Sequence, residues 1–138
     1  MAALSAIHTA IVSQVNAVTG LTPAPVPFSA ESIPDQLTNG GFIVRWETID
    51  YDAHDGAQTP SATATIEIEL LWRLTQVPNT GLGGALDKAE AVIGKLADDG
   101  ITSVDARFVG AGLELEYPSD GAHVIVRVRA LVYFTRAL

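Results

Sequence analysis

The chain contains no cysteine, which excludes disulfides, thiolate nucleophiles and zinc–thiolate centres. Basic residues are scarce: eight Lys and Arg stand against sixteen Asp and Glu, and Lys88 and Lys95 are its two lysines. A net charge of −8 argues against broad contact with phosphates, which needs clustered cations. No apolar run approaches the roughly 18 residues needed to cross a bilayer. The opening MAALSAIHTAIVSQV lacks a basic stretch and is broken by His8, Ser13, Gln14 and Asn16, so it does not read as a signal peptide. The cytoplasm of the producing cell is the simplest expectation.

What is present suits one globular domain over 1-138, with 48% hydrophobic and 17% charged residues. Leu4, Ile7, Ile11, Val15 and Val18 recur at helical spacing, and Thr19-Gly20 ends that helix. Pro23, Pro25 and Pro27 then enforce an extended path, so residues 20 to 40 read as a surface connection. Asn39-Gly40-Gly41 turns the chain into a strand at 42 to 49, followed by a loop at 50 to 60.

Two unusually long alternating segments dominate the rest, 61 to 74 and 122 to 134. Each would span roughly 40 Å, about twice a typical strand. A domain this small is expected to leave their ends or edges projecting, and exposed strand edges are either blunted or paired with a neighbour. Between them, Pro78 and the glycines at 81, 83 and 84 read as a flexible connector. A second helix follows, carrying Leu86, Ala89, Ile93 and Leu96 inward and stopping at Gly100.

Segment 104 to 117 changes parity: Val104, Ala106 and Phe108 face one way on even numbers, whereas Leu113, Leu115 and Tyr117 continue on odd ones. The switch at Gly110-Ala111-Gly112 predicts one bent strand with a bulge, a tight hairpin being the alternative. Pro118-Ser119-Asp120-Gly121 then turns the chain into the last strand. The bent-strand reading makes the two long strands antiparallel. With Glu69 opposite Arg127, the same register sets Glu67 against Arg129, Leu71 against Ile125, Ala62 against Phe134, Ala64 against Val132, Ile66 against Ala130 and Trp72 against Val124. Small then meets large and acid meets base. The expected fold is α+β, a mainly antiparallel twisted sheet of about four strands flanked by two helices.

Chemical motifs are weak. Asp50, Asp52, His54 and Asp55 crowd one segment and could hold a hard cation or contact a partner. The calcium-loop pattern fails, because Asp55 stands where glycine is needed and Ser61 where the closing glutamate belongs. The glycines before the second helix lack the Gly-Lys-Ser/Thr of a phosphate loop. His8, His54 and His123 have no recognisable serine or carboxylate partner. Glu67 with Glu69, and Glu114 with Glu116, resemble a carboxylate pair, but Arg127 and Arg129 explain the first pair as a polar sheet face. No catalytic residue, metal or cofactor is expected, and the chain reads as a non-enzyme.

Charge is uneven along the chain. Residues 29 to 60 hold six acids against Arg45, whereas 122 to 138 hold Arg127, Arg129 and Arg136 without an acid. Intramolecular neutralisation is one explanation. The other is a head-to-tail ring, in which the acidic loop of one copy (Asp50, Asp52, His54, Asp55) meets the basic strand of the next (Arg127, Arg129, Arg136), with Glu67 and Glu69 also counted as interface residues.

The order of elements resembles that of the tail-terminator proteins of long-tailed bacteriophages: a helix (LSAIHTAIVSQV), a proline-bearing connection (TPAPVPF), a strand (GFIVRWET), a long alternating strand (ATIEIELLWRL), a helix (ALDKAEAVIGKL) and a closing strand (VIVRVRALVYF). The resemblance is one of architecture, size and acidic character. It implies a hexameric ring at the head-proximal end of the tail tube, ending tube growth and joining tail to head. The implied partners are further copies of the chain, the tail-tube protein and a head-completion or connector protein. DNA would pass through without specific binding, no membrane would be involved, and the location would be the virion tail after assembly in the host cytoplasm. A neck or tail-tube ring protein is the nearest alternative. From another class, a small α+β enzyme or ligand-binding module would use the 50–55 acidic segment.

Overall fold

The computed structural model describes residues 4–29, 31–34, 40–52, 61–74, 78–98, 101, 106–119 and 121–135. The elements are α1 (Leu4–Asn16), β1 (Thr22–Pro23), β2 (Gly41–Asp52), β3 (Ser61–Arg73), α2 (Pro78–Ala97), β4 (Ala106–Glu116) and β5 (His123–Thr135). They form one sheet in the order β1-β2-β3-β5-β4. The α+β class stands, and the four long strands are antiparallel to their neighbours. The fifth strand makes the sheet mixed: Thr22–Pro23 lies parallel to Gly41 and Phe42, where proline is tolerated because the position is an edge.

Every pair of the expected β3–β5 register is present, including Glu69 with Arg127, Glu67 with Arg129 and Ala62 with Phe134. The expectation that the edges of these two long strands project is corrected. β3 lies between β2 and β5, and β5 between β3 and β4, so both of their edges are hydrogen-bonded. Among the described residues no further strand pairs with the outer side of β4, or with that of β2 from Ile43 to Asp50.

One face of the sheet carries the main core. Ile66, Ile68 and Leu70 of β3 and Val126, Val128 and Val132 of β5 are buried on it, beneath Ile7, Ile11 and Val15 of α1 and Ala85, Ala89, Val92 and Leu96 of α2. The second helix is longer than expected and rotated. It starts at Pro78, a favoured first helical position, and runs through the glycines read as a connector. Ala85 and Val92 are buried while Leu86 and Ile93 are half-covered, so smaller residues bring the helix close to the sheet. Lys88 on α2 donates a hydrogen bond to the Thr19 carbonyl after α1, tying the two helices together.

The proline-bearing segment does more than cross the surface. Leu21 is buried in the main core, whereas Phe28 is buried on the opposite face against Leu71 and Ile125, with Val26, Ile33 and Ile43 around it. The segment therefore wraps the β2 edge and fastens both faces. Gly40 makes the return. Its φ is +84°, its N–H donates to the Leu71 carbonyl, and a Cβ there would overlap the Gly20 carbonyl oxygen. A left-handed backbone in so close an approach requires glycine.

β4 is a single bent strand, as the parity change implied. The irregularity sits between Phe108 and Gly110, at Val109, just ahead of the expected glycines. A matching irregularity at Glu47 lies between Trp46 and Thr48 in β2. Gly121, with φ +69°, closes the turn into β5 by donating to the Pro118 carbonyl.

Candidate functional site

Two features of the sheet set this chain apart from a closed globule, and they meet at β4. The first is the edge. Among the described residues nothing pairs with the outer side of β4, whose eleven residues offer a free ladder of backbone groups. Val109 (61% exposed), Leu113 (42%), Leu115 (40%) and Tyr117 (55%) gather along it and its exit, while Leu131 of β5 is exposed on the other face, beside Gly110. Single exposed apolar residues are ordinary, but a row of them on an open edge invites pairing. Gly110 and Gly112 add no side chains there, which leaves a shallow groove of about 470 Å³ bordered by Thr65, Arg129 and Leu131.

The second feature is a band of charge across the face opposite the helices. Because β2, β3, β5 and β4 are in register, alternate residues of the four strands fall in one row. Glu69 is buried and receives Arg45 Nε at 2.7 Å and Arg127 Nε at 3.5 Å. Arg127 reaches Glu116 at 2.9 Å and Glu114 at 3.9 Å. Arg129 binds Glu67 at 2.7 Å, Glu47 at 3.3 Å and Glu114 at 3.6 Å. Five glutamates thus surround three arginines, leaving the band acidic.

Burial pushes the Glu69 carboxyl above its ordinary range, although Arg45 and then Arg127 pull the other way. Burial also works against the Arg127 charge, but Glu116, Glu69 and Glu67 together outweigh it and hold the guanidinium above its usual value. Arg129 is raised as well, first by its hydrogen bond to Glu67 and then by Glu47. These contacts make the band a structural network rather than an acid–base pair. Among the described residues no group of three or more His, Asp or Glu could hold a metal ion.

The residues singled out from sequence are divided by the structure. Glu67, Glu69, Arg127 and Arg129 come together in the network as expected. Asp50 and Asp52 are not loop residues: they belong to β2 and stand opposite Thr63 and Ser61 of β3, away from those arginines. His54, Asp55 and Arg136 lie outside the described residues, as do Val104 and Gly100. The neutralisation of Arg127 and Arg129 is intramolecular, so a ring contact built on them would have to break pairs already made.

Sequence reasoning missed Arg45, Glu47, Glu114 and Glu116 as members of the network. The alternation of charge along 45–47 and 114–116 was the available signal, but placing it needed the positions of the β2 and β4 bulges. It also missed His8, whose Nδ1 accepts a hydrogen bond of 2.9 Å from Trp46 Nε1 and fastens α1 to β2.

No protein-family model matches the chain, and no curated protein is significantly similar to it in sequence. Among the described residues no helix is long and apolar enough to cross a membrane.

Proposed function

We propose that this chain is a ring-forming structural subunit, a tail terminator placed at the head-proximal end of a phage tail tube. The observation that carries the reading is the apolar-studded edge of β4, which among the described residues has no strand on its outer side, on a sheet whose other border, β2 from Ile43 to Asp50, likewise has none. A sheet with two different open borders can add a neighbour on each side, which is the requirement for a head-to-tail ring. The order of elements supports the terminator within that class, and the acidic band supports a surface along which DNA slides without sticking.

The mechanism is associative and breaks no covalent bond. One face of the ring copies the contact that a tube ring makes, the other cannot accept a further tube subunit, and growth stops. That second face meets the head-completion or connector protein. Size-exclusion chromatography with light scattering at rising concentration tests the assembly, with a closed ring, hexameric in the tail-terminator reading, as the expected result. Negative-stain images of tails assembled with and without the protein test its position and role: tails of uncontrolled length in its absence are expected, and tails of unchanged length would overturn the terminator reading.

A further inference from the structure

We infer that the seam between neighbouring copies is an added strand pair in which β4 of one copy lies antiparallel to β2 of the next; this rests on the ring reading above. The first argument is direction. β2 opposes β3, β3 opposes β5 and β5 opposes β4, so the two border strands of one copy run in opposite directions. A rotational repeat keeps every copy in the same orientation, and β4 then meets its neighbour's β2 in antiparallel pairing. Both open borders are consumed. Pairing β4 with another β4 about a two-fold axis would consume one border and leave β2 open on both copies.

Register supplies the second argument. Residues opposite one another must face the same side of the sheet, and a slip of one would place helix-side residues on the charged face. On the charged side, Glu114 opposite the neighbour's Arg45 sets acid against base. Glu114 is the more exposed of the two β4 glutamates and is held at 3.6 Å or more, whereas Glu116 is engaged at 2.9 Å, so Glu114 has hydrogen-bonding capacity to spare. Arg45 is about half exposed, with Nε on Glu69 and Nη2 donating to the Phe28 carbonyl.

On the helix side this register sets Leu113 against Trp46 and Leu115 against Val44. Past the β2 bulge at Glu47, Ala111 then falls opposite Ile49 and Gly110 opposite Asp50. Small meets large, and the glycine leaves room beside the acid. The pairing runs from Glu116 with Ile43 to Gly110 with Asp50. It stays clear of Gly41 and Phe42, which β1 already covers, and of the β4 bulge at Val109. Slipping by two so that Glu116 faces Arg45 would carry the pairing past the end of β4 at Glu116, to Pro118 opposite Ile43.

The absence of cysteine makes the seam directly testable by oxidation. The variant Ala111→Cys with Ile49→Cys, at the highest soluble concentration, is expected to give a ladder of cross-linked multimers on a non-reducing gel, while each single variant stays monomeric on that gel. A double variant that does not cross-link while light scattering still reports the ring would overturn the seam and leave the ring reading standing. A ladder from Leu113→Cys with Ile49→Cys in its place would overturn this register. Leu113→Cys alone giving a cross-linked dimer and nothing larger would establish two-fold pairing of β4 and overturn both. A protein that remains monomeric by light scattering with no cross-link in any variant would also overturn both.

Discussion

The two faces of this sheet are built on different physics, and β3 shows it residue by residue. Its even positions, Ala62 to Leu70, are buried beneath two helices in an apolar core. Its odd positions run from threonine through Glu67 and Glu69 to Leu71, so the other face passes from polar, through a charged band, to a small apolar cluster closed by Phe28. The helix side gains stability by removing hydrocarbon from water, which is roughly proportional to area and insensitive to partner identity. The open side depends on each charge finding its counterpart across strands. One face can therefore be changed without much loss of specificity, whereas the other cannot.

Adjacent residues of β3 give the sharpest contrast. Ile66→Ala should cost about 2 to 5 kcal/mol, because a fully buried side chain is replaced by a void beneath the helices. Thr65→Ala, one residue away on the opposite face, should change stability by no more than about 1 kcal/mol. Urea unfolding of both variants checks the pair. Equal losses would mean that the open face is covered by more than the chain itself in solution.

The helix-side face was legible in the sequence and the open face only partly so. Alternation in 61–74 and 122–134 assigned each residue to a side, and matching Glu67 and Glu69 to Arg129 and Arg127 gave a register that every observed pair reproduces. A period of two survives any tertiary context as long as no residue is inserted. The parity change in β4 was visible, but its seat at Val109 and the insertion at Glu47 in β2 were not, and alternation alone does not say which strand lies beside which, so Arg45, Glu47, Glu114 and Glu116 could not be set against Arg127, Arg129 and Glu69. Strand order was the other gap. Length suggested that the two longest strands would be exposed, yet length also makes them the best-paired centre of the sheet, and the shorter, glycine-bearing β4 took the border. The proline segment hid its anchor, since nothing local to TPAPVPF tells Phe28 which face it will cover.

Within the charged band the next largest effect belongs to Arg127. Its side chain is 17% exposed and touches Glu69, Glu114 and Glu116, so it joins β5 to both neighbouring strands. Arg127→Met should destabilise the fold by about 2 kcal/mol, less than the loss from breaking a fully buried pair because solvent reaches part of the guanidinium. Restoring the loss by a second change, Glu69→Leu, would show that the cost is the carboxylate left behind rather than the contact itself. Arg129→Met, at the exposed end of the band, should cost less than Arg127→Met, and a larger loss would relocate the network's centre.

The smallest effect decides the sign of the comparison. If burial governs Glu69, its carboxyl holds its proton to a higher pH in the folded chain than in the unfolded one, where the ordinary value is near 4.5. Between those two values the folded state binds more protons, so stability contributed by Glu69 is fully present below the unfolded pKa and is lost as pH rises through the folded one. Glu69→Gln cannot ionise and should escape that loss. Urea midpoints of the two proteins, measured from below pH 4.5 upward, should therefore show the native chain losing ground to the variant as pH increases. The opposite trend, with the native chain gaining on Glu69→Gln, would mean that Arg45 and Arg127 outweigh the cost of burial. The open face would then be held by its charges in the strong sense, and not merely kept from being penalised by them.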